Sequence, residues 1–127
     1  MLHLRSQLGD VDGFTARADG QRAGGYRLVA SFEPGVAAAA AVAGFRFGEM
    51  LAWGRYLYVD DLSTDPAFRG RGHADALLAW LLVEARRQGC AELHLDSGVG
   101  PEREAAHRFY FNHGLRITSY HFAATVR

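Results

Sequence analysis

Six consecutive residues, Arg69-Gly70-Arg71-Gly72-His73-Ala74, join two guanidinium groups and two glycines directly ahead of an apolar helical repeat. Glycine lets backbone amides approach a ligand closely, and the first turn of a helix leaves its N–H groups without intrahelical acceptors. The positive end of the helix dipole adds to the two arginines, so the turn has the chemistry of a polyanion cradle. It is not a Walker loop, because no Gly-Lys-Ser/Thr follows, and the G-x-G-x-x-G dinucleotide fingerprint is absent. An RGRG tetrapeptide alone also suits a plain surface turn or a disordered nucleic-acid-binding fragment. A strand before it and an apolar helix after it give the turn a fixed place in a fold.

The stretch Tyr56 to Gln88 supplies both flanks. Tyr, Val and Leu read as a strand, with Asp65-Pro66 as the turn that closes it. Ala74, Leu77, Leu78, Leu81, Leu82 and Ala85 form one helical stripe; Arg86 and Arg87 suit its last turn, and Gly89 suits the residue beyond it. Earlier in the chain, Asp10 or Asp12 could cap a helix from Phe14 to about Gln21, although Gly13 and Gly20 weaken it. Tyr26 to Phe32 alternates as a strand, and Glu33-Pro34-Gly35 is a turn. The alanine-rich run Ala37 to Phe47 is read as its antiparallel neighbour and Arg55 to Thr64 as the third strand of a meander. After the helix, Ala91 to Asp96 is a strand, parallel to its neighbour because a crossover helix joins them. Pro101 opens a second helix that carries Ala105, Ala106, Phe109 and Tyr110 inward and stops at Gly114. Leu115 to Val126 is predicted to be a last strand. The predicted order is αβββ-αβαβ, in one domain over residues 1–127.

Arg69-x-x-Gly72-x-Ala74 between a strand and a helix resembles the acyl-CoA signature of the GNAT N-acyltransferase superfamily. Ala106-His107-Arg108-Phe109-Tyr110 with Gly114-Leu115 resembles that family's second landmark, an Ala-x-x-Phe-Tyr helix before a Gly-Phe pair. The two landmarks cover about half the chain, roughly Gly54 to Ser119, in the family's order. The resemblance implies an α/β fold whose central sheet is mixed and mostly antiparallel, with helices on both faces. The N- and C-terminal parts are shorter than the family's usual form. It also implies that Arg69, Gly70, Arg71, Gly72, His73 and Ala74 hold the pyrophosphate of acetyl-CoA. The pantetheine arm would run along the backbone of Leu62, Ser63 and Thr64 like an added strand.

Acyl transfer from a thioester to an amine needs a held carrier, an uncharged amine, a stabilised oxyanion and a protonated leaving thiolate. Tyr110 matches the family's proton donor, and a phenol of reference pKa about 10 carries its proton at neutral pH. Tyr110 can also be read as a core aromatic at helical spacing. Asp60 and Asp61 are adjacent, so they are expected to point to opposite faces of their strand and only one can serve as base. Asp60, sharing a face with Tyr58 and Leu62, is preferred, with Glu49 and Asp96 as alternatives; each also reads as a solvated or paired carboxylate. Many family members carry a carrier-binding asparagine three residues before the alanine of the second landmark, where this chain has Arg103.

Composition narrows the rest. The chain has 127 residues, 49% of them hydrophobic, with 14 basic and 14 acidic side chains in balance. That suits one globular core and gives no footprint for bulk nucleic-acid or membrane binding. A single cysteine, Cys90, fits core packing in a reducing cytoplasm. Val36 to Phe45 is too short to span a bilayer, and no signal peptide is evident. Histidines scattered at 73, 94, 107 and 113 lack the pairing a zinc site wants, so no metal is expected. The sequence reading is therefore a cytoplasmic N-acetyltransferase acting on a small-molecule or peptide amine, without nucleic-acid or membrane partners. The alternative is a GNAT-fold module that binds acyl-CoA and regulates without turnover. Trp53, Phe45, Phe47 and Tyr56 are candidates for an acceptor pocket or for core. The last strand, Arg116 to Arg127, would leave an unpaired edge beside Tyr120 and Phe122, which points to a homodimer.

Overall fold

Three antiparallel strands form a meander: β1 (Arg27–Ser31), β2 (Ala41–Met50) and β3 (Gly54–Thr64). In this computed structural model residues 21–127 are described, so the helix expected over Phe14 to Gln21 lies, except for its last residue, outside the described residues. Among the described residues, the first of two compact units covers residues 21–95 and the second residues 96–127. In the first, helix α1 (His73–Arg87) leads from β3 to β4 (Glu92–Leu95). The sheet order is β1-β2-β3-β4, and β4 runs parallel to β3 while the other pairs are antiparallel. A mixed, mostly antiparallel sheet with helices is the predicted fold class.

The core explains why an alanine run becomes a strand. Ala41, Ala43 and Phe45 of β2 and Leu57 and Val59 of β3 bury against Leu77, Leu81 and Ala85 of α1. Small side chains at 41 and 43 let the helix approach the sheet closely, and that packing outweighs alanine's helical preference. Leu57, Leu78 and Leu81 are fully buried, each worth roughly 1.5–3 kcal/mol relative to exposure. The strand begins at Ala41 rather than Ala37; the earlier alanines belong to the connection, which Ala40 anchors by donating its N–H to the Ser31 carbonyl at 2.8 Å. Helix α1 ends in a Schellman motif, with Gly89 at φ 75° and the Cys90 N–H reaching the Ala85 carbonyl at 2.9 Å. Cys90 packs against the core, and burial pushes its thiol pKa up.

One irregularity in β3 overturns an expectation. Val59 lies opposite Phe45 and Asp61 opposite Gly44, so Asp60 is an extra residue with no partner position on β2. Regular alternation therefore stops at Val59 and resumes with Leu62, which returns to the core face. Asp60 does not share a face with Leu62, and Asp60 and Asp61 do not point to opposite faces. Both meet the side chains that lie over the far side of the sheet.

The second unit opens with a 3-10 turn, Pro101–Arg103, that continues into helix α2 (Glu104–Asn112). The helix ends as α1 does, with Gly114 at φ 83° and the Leu115 N–H bonded to the Tyr110 carbonyl at 3.1 Å. Ala106, Phe109 and Tyr110 are half-buried, but Ala105 is exposed, contrary to the inward face expected for it. Residues 115–127 form no strand, which corrects the expectation for Leu115 to Val126. The segment alternates suitably, yet a strand exists only through ladder partners, and none of the described residues pairs with it. Ile117, Tyr120, Phe122 and Val126 are left exposed. Among the described residues no helix is long and apolar enough to cross a membrane.

Candidate functional site

The site is built where β3 ends and α1 begins. Asp65 closes the strand by capping a short 3-10 turn, Pro66–Phe68, its carboxylate accepting from the Ala67 N–H at 2.9 Å. The chain then reverses through Gly70 (φ 76°) and Gly72 (φ 83°), both left-handed conformations that L side chains resist. A Cβ built on either glycine would meet nothing within 4 Å. The glycines are thus required by backbone shape, and their outer side is open.

Gly72 caps α1 without a side-chain hydrogen bond, so the first-turn amides face an uncapped, positive helix end. Thr64, Phe68, Arg69, Gly70, Gly72, His73, Ala74 and Asp75 line an open depression of about 220 Å³. Among the described residues Arg69 makes no hydrogen bond or ion pair, so its guanidinium is available to an anion. These features fit a phosphate group: exposed amides, room beside the glycines and one uncommitted cation. Arg71, by contrast, is committed. It pairs with Glu33 from the β1–β2 connection, and its guanidinium lies 5.5 Å from the Phe68 ring centre. Phe68 and Asp75 were missed by sequence reasoning, although an acidic residue in a first helical turn is a recognisable polarity signal.

Beyond the depression, β3 continues as a half-paired edge. Its ladder with β4 covers only Tyr56 to Val59, while its ladder with β2 runs to Thr64. Among the described residues, Leu62, Ser63 and Thr64 thus have a strand neighbour on the β2 side alone. An extended ligand backbone could use that edge.

The irregularity in β3 organises a second group of side chains. Tyr26 lies over Gly44, its ring filling the space a side chain would need, and donates its hydroxyl to Asp61 Oδ2 at 2.8 Å. Arg46 grips Asp60 through Nε (3.0 and 3.1 Å) and Nη2 (2.6 Å), and its guanidinium sits 5.5 Å from the Tyr26 ring centre. Burial, then the bond to Asp61, holds the Tyr26 phenol well above its ordinary pKa. Ion pairing with Asp60 raises the Arg46 guanidinium further. Two carboxylates, one phenol and one guanidinium therefore form a single polar cluster.

The other candidates separate. Phe45 and Phe47 meet edge to face in the core at 5.9 Å, whereas Trp53 stacks on His94 at 3.4 Å with Tyr56 edge-on to both. The four aromatics do not line one pocket. In the second unit, burial raises the Tyr110 phenol pKa and Arg103 pulls it the other way, so it is a neutral donor at physiological pH. His107 bonds Ser97 Oγ (3.1 Å) and the Gly98 carbonyl (2.8 Å), a staple for that loop. Among the described residues no group of three or more His, Cys, Asp or Glu side chains is gathered as a metal site would require.

The glycine-bent turn on a helix start lies at the end of a half-paired strand, and comparison gives the chain a family. The acetyltransferase (GNAT) family model matches residues 5–115, and the chain belongs to that family. Solved structures that it resembles include a ribosomal-protein-alanine N-acetyltransferase from Brucella melitensis biovar Abortus (20% identity, TM-score 0.78, covering 98% of this chain and 87% of that one). A transcriptional regulator from Bacillus halodurans (19%, TM-score 0.76, 91% and 76%) shares the fold. So does glucosamine-6-phosphate N-acetyltransferase from Arabidopsis thaliana (21%, TM-score 0.75, 100% and 89%). No curated protein matches the chain.

Proposed function

We propose that this protein transfers an acetyl group from acetyl-CoA to a primary amine of a small molecule or peptide. The observation that carries the reading is the open turn from Arg69 to Ala74, with its glycines at positive φ and its uncapped helix end. In this reading Arg69, Gly70, Gly72, His73 and Ala74 hold the pyrophosphate, and the edge of Leu62, Ser63 and Thr64 pairs with the pantetheine amides. Arg71 belongs to the loop through its pairing with Glu33.

The amine nitrogen attacks the thioester carbonyl carbon, the C–N bond forms and the C–S bond breaks. Asp60 takes the proton the amine gives up, directly or through a water; Asp61 is the second carboxylate of the same cluster. Tyr110 gives its proton to the departing thiolate. The protein acts in the cytoplasm, as a homodimer, without a metal.

The test is an acceptor screen that follows free thiol released from acetyl-CoA, repeated with Tyr110→Phe on the acceptor found. Turnover in the variant is expected to fall about 10²–10⁴-fold while coenzyme A affinity changes little. Nearly full turnover would reduce Tyr110 to a packing residue. Tight coenzyme A binding with no thiol release from any amine would instead favour a regulatory module.

A further inference from the structure

Glu33 sits 36 residues before Arg69 in sequence, in the connection between β1 and β2, yet both its oxygens reach into the turn that opens α1. Oε1 accepts from Arg71 Nη1, and Oε2 lies 3.0 Å from His73 Nε2. On its other side the same imidazole has Nδ1 2.6 Å from Ser31 Oγ. A carboxylate can only accept, so Nε2 carries the proton and donates to Glu33; in the neutral ring Nδ1 then accepts from the Ser31 hydroxyl. The His73 side chain is only 10% exposed. His73 is the first residue of α1, so fixing its ring fixes the direction in which the first-turn amides point. Those donors, first His73 and then Arg71, hold the Glu33 carboxyl below the usual carboxylate range.

We propose that Glu33, with Ser31, is a positioning residue for the carrier loop: a clasp from the β1–β2 connection that sets the loop through Arg71 and His73 and leaves Arg69 to meet the phosphate. The inference rests on the reading of this loop as the coenzyme A site. It makes a claim whose sign is opposite to simple electrostatics. Removing an anion beside a polyphosphate site should tighten binding by charge alone. Removing a clasp should weaken it.

Calorimetric titration with coenzyme A separates these outcomes. Glu33→Ala is expected to bind about tenfold or more weakly than the natural protein, and Glu33→Gln, which keeps an oxygen for His73, to recover part of the loss. Arg71→Ala is expected to weaken binding alone but to add nothing in the Glu33→Ala background, because its partner is already gone. If Glu33→Ala does not fold, Glu33→Gln and Arg71→Ala carry the comparison. Glu33 variants that bind as tightly as the natural protein, or tighter, overturn the clasp, as does an Arg71→Ala loss that persists without Glu33. A natural protein that gives no coenzyme A signal defeats the reading of the loop and the clasp together; a binding natural protein with indifferent variants defeats the clasp alone.

Discussion

Replacing Gly44 by alanine tests the seating of Tyr26 and, through it, the carboxylate cluster. A Cβ on residue 44 would stand 1.8 Å from Tyr26 Oη, 2.4 Å from Cζ and 2.7 Å from Cε1. Real side chains never approach so closely, so the ring must leave. Tyr26 is only 3% exposed and its hydroxyl is bonded to a carboxylate. Overpacking of this kind costs roughly 1–3 kcal/mol, and a lost hydrogen bond to a charged group roughly 1.5–3 kcal/mol. Together they put the loss near 3–5 kcal/mol, and at about 4 °C per kcal/mol for a chain of this size the Tm should fall by about 12–20 °C. Tyr26→Phe, which removes the hydroxyl and leaves the ring, should lose only the hydrogen-bond part. Gly44→Ala combined with Tyr26→Ala should lose less than the sum of the two single changes, since the new methyl then occupies vacated space. Thermal unfolding followed by circular dichroism gives all four values. A Gly44→Ala protein melting within a few degrees of the natural one would refute the seating of Tyr26 on Gly44.

Three further outcomes are expected. Gly72→Asp places an anion in the phosphate depression at a left-handed position that aspartate tolerates better than most residues, so calorimetry should show coenzyme A binding lost while the fold persists; unchanged affinity would refute the cradle. The raised Tyr26 phenol keeps its proton where an unfolded tyrosine loses one, so its contribution to stability is whole below about pH 10 and declines as pH rises further. Tyr26→Phe should flatten that alkaline limb in denaturant titrations, and an unaltered limb would count against it. Light scattering on a size-exclusion column should give a dimer mass at micromolar concentration; a monomer mass would end the proposal that the exposed segment around Tyr120 and Phe122 meets a second copy.

What the sequence made legible was mostly local. The periodic apolar stripe of α1, its glycine stop, the Asp-Pro turn and the parallel return of β4 all follow from short-range patterns, and the structure has each of them. The glycine-bent turn ahead of α1 was legible for the same reason: its glycines, arginines and helix start are contiguous. Pairings distant in sequence were not legible. Nothing in Glu33-Pro34-Gly35 beyond a turn signal indicates that Glu33 reaches Arg71 and His73, about 40 residues onward. The irregularity at Asp60 escaped because strand reasoning assumes strict alternation, and no glycine or proline beside Asp60 marks the break. The C-terminal residues 115–127 have a strand's alternation, but pattern alone does not supply the ladder partner a strand needs.

The extra residue in β3 has a consequence for how the chain could be shortened. With Asp60 removed, Val59 would still oppose Phe45, and Asp61, Leu62, Ser63 and Thr64 would keep their present partners on β2. Leu57, Val59 and Leu62 would still face the core, and the ladder would become continuous. The fold therefore has no need of the sixtieth residue, and a one-residue deletion there is an edit the sheet can absorb. Its presence serves the polar cluster, where it gives Arg46 a carboxylate to grip. At this position the strand gives up backbone regularity and gains a side chain that Arg46 binds.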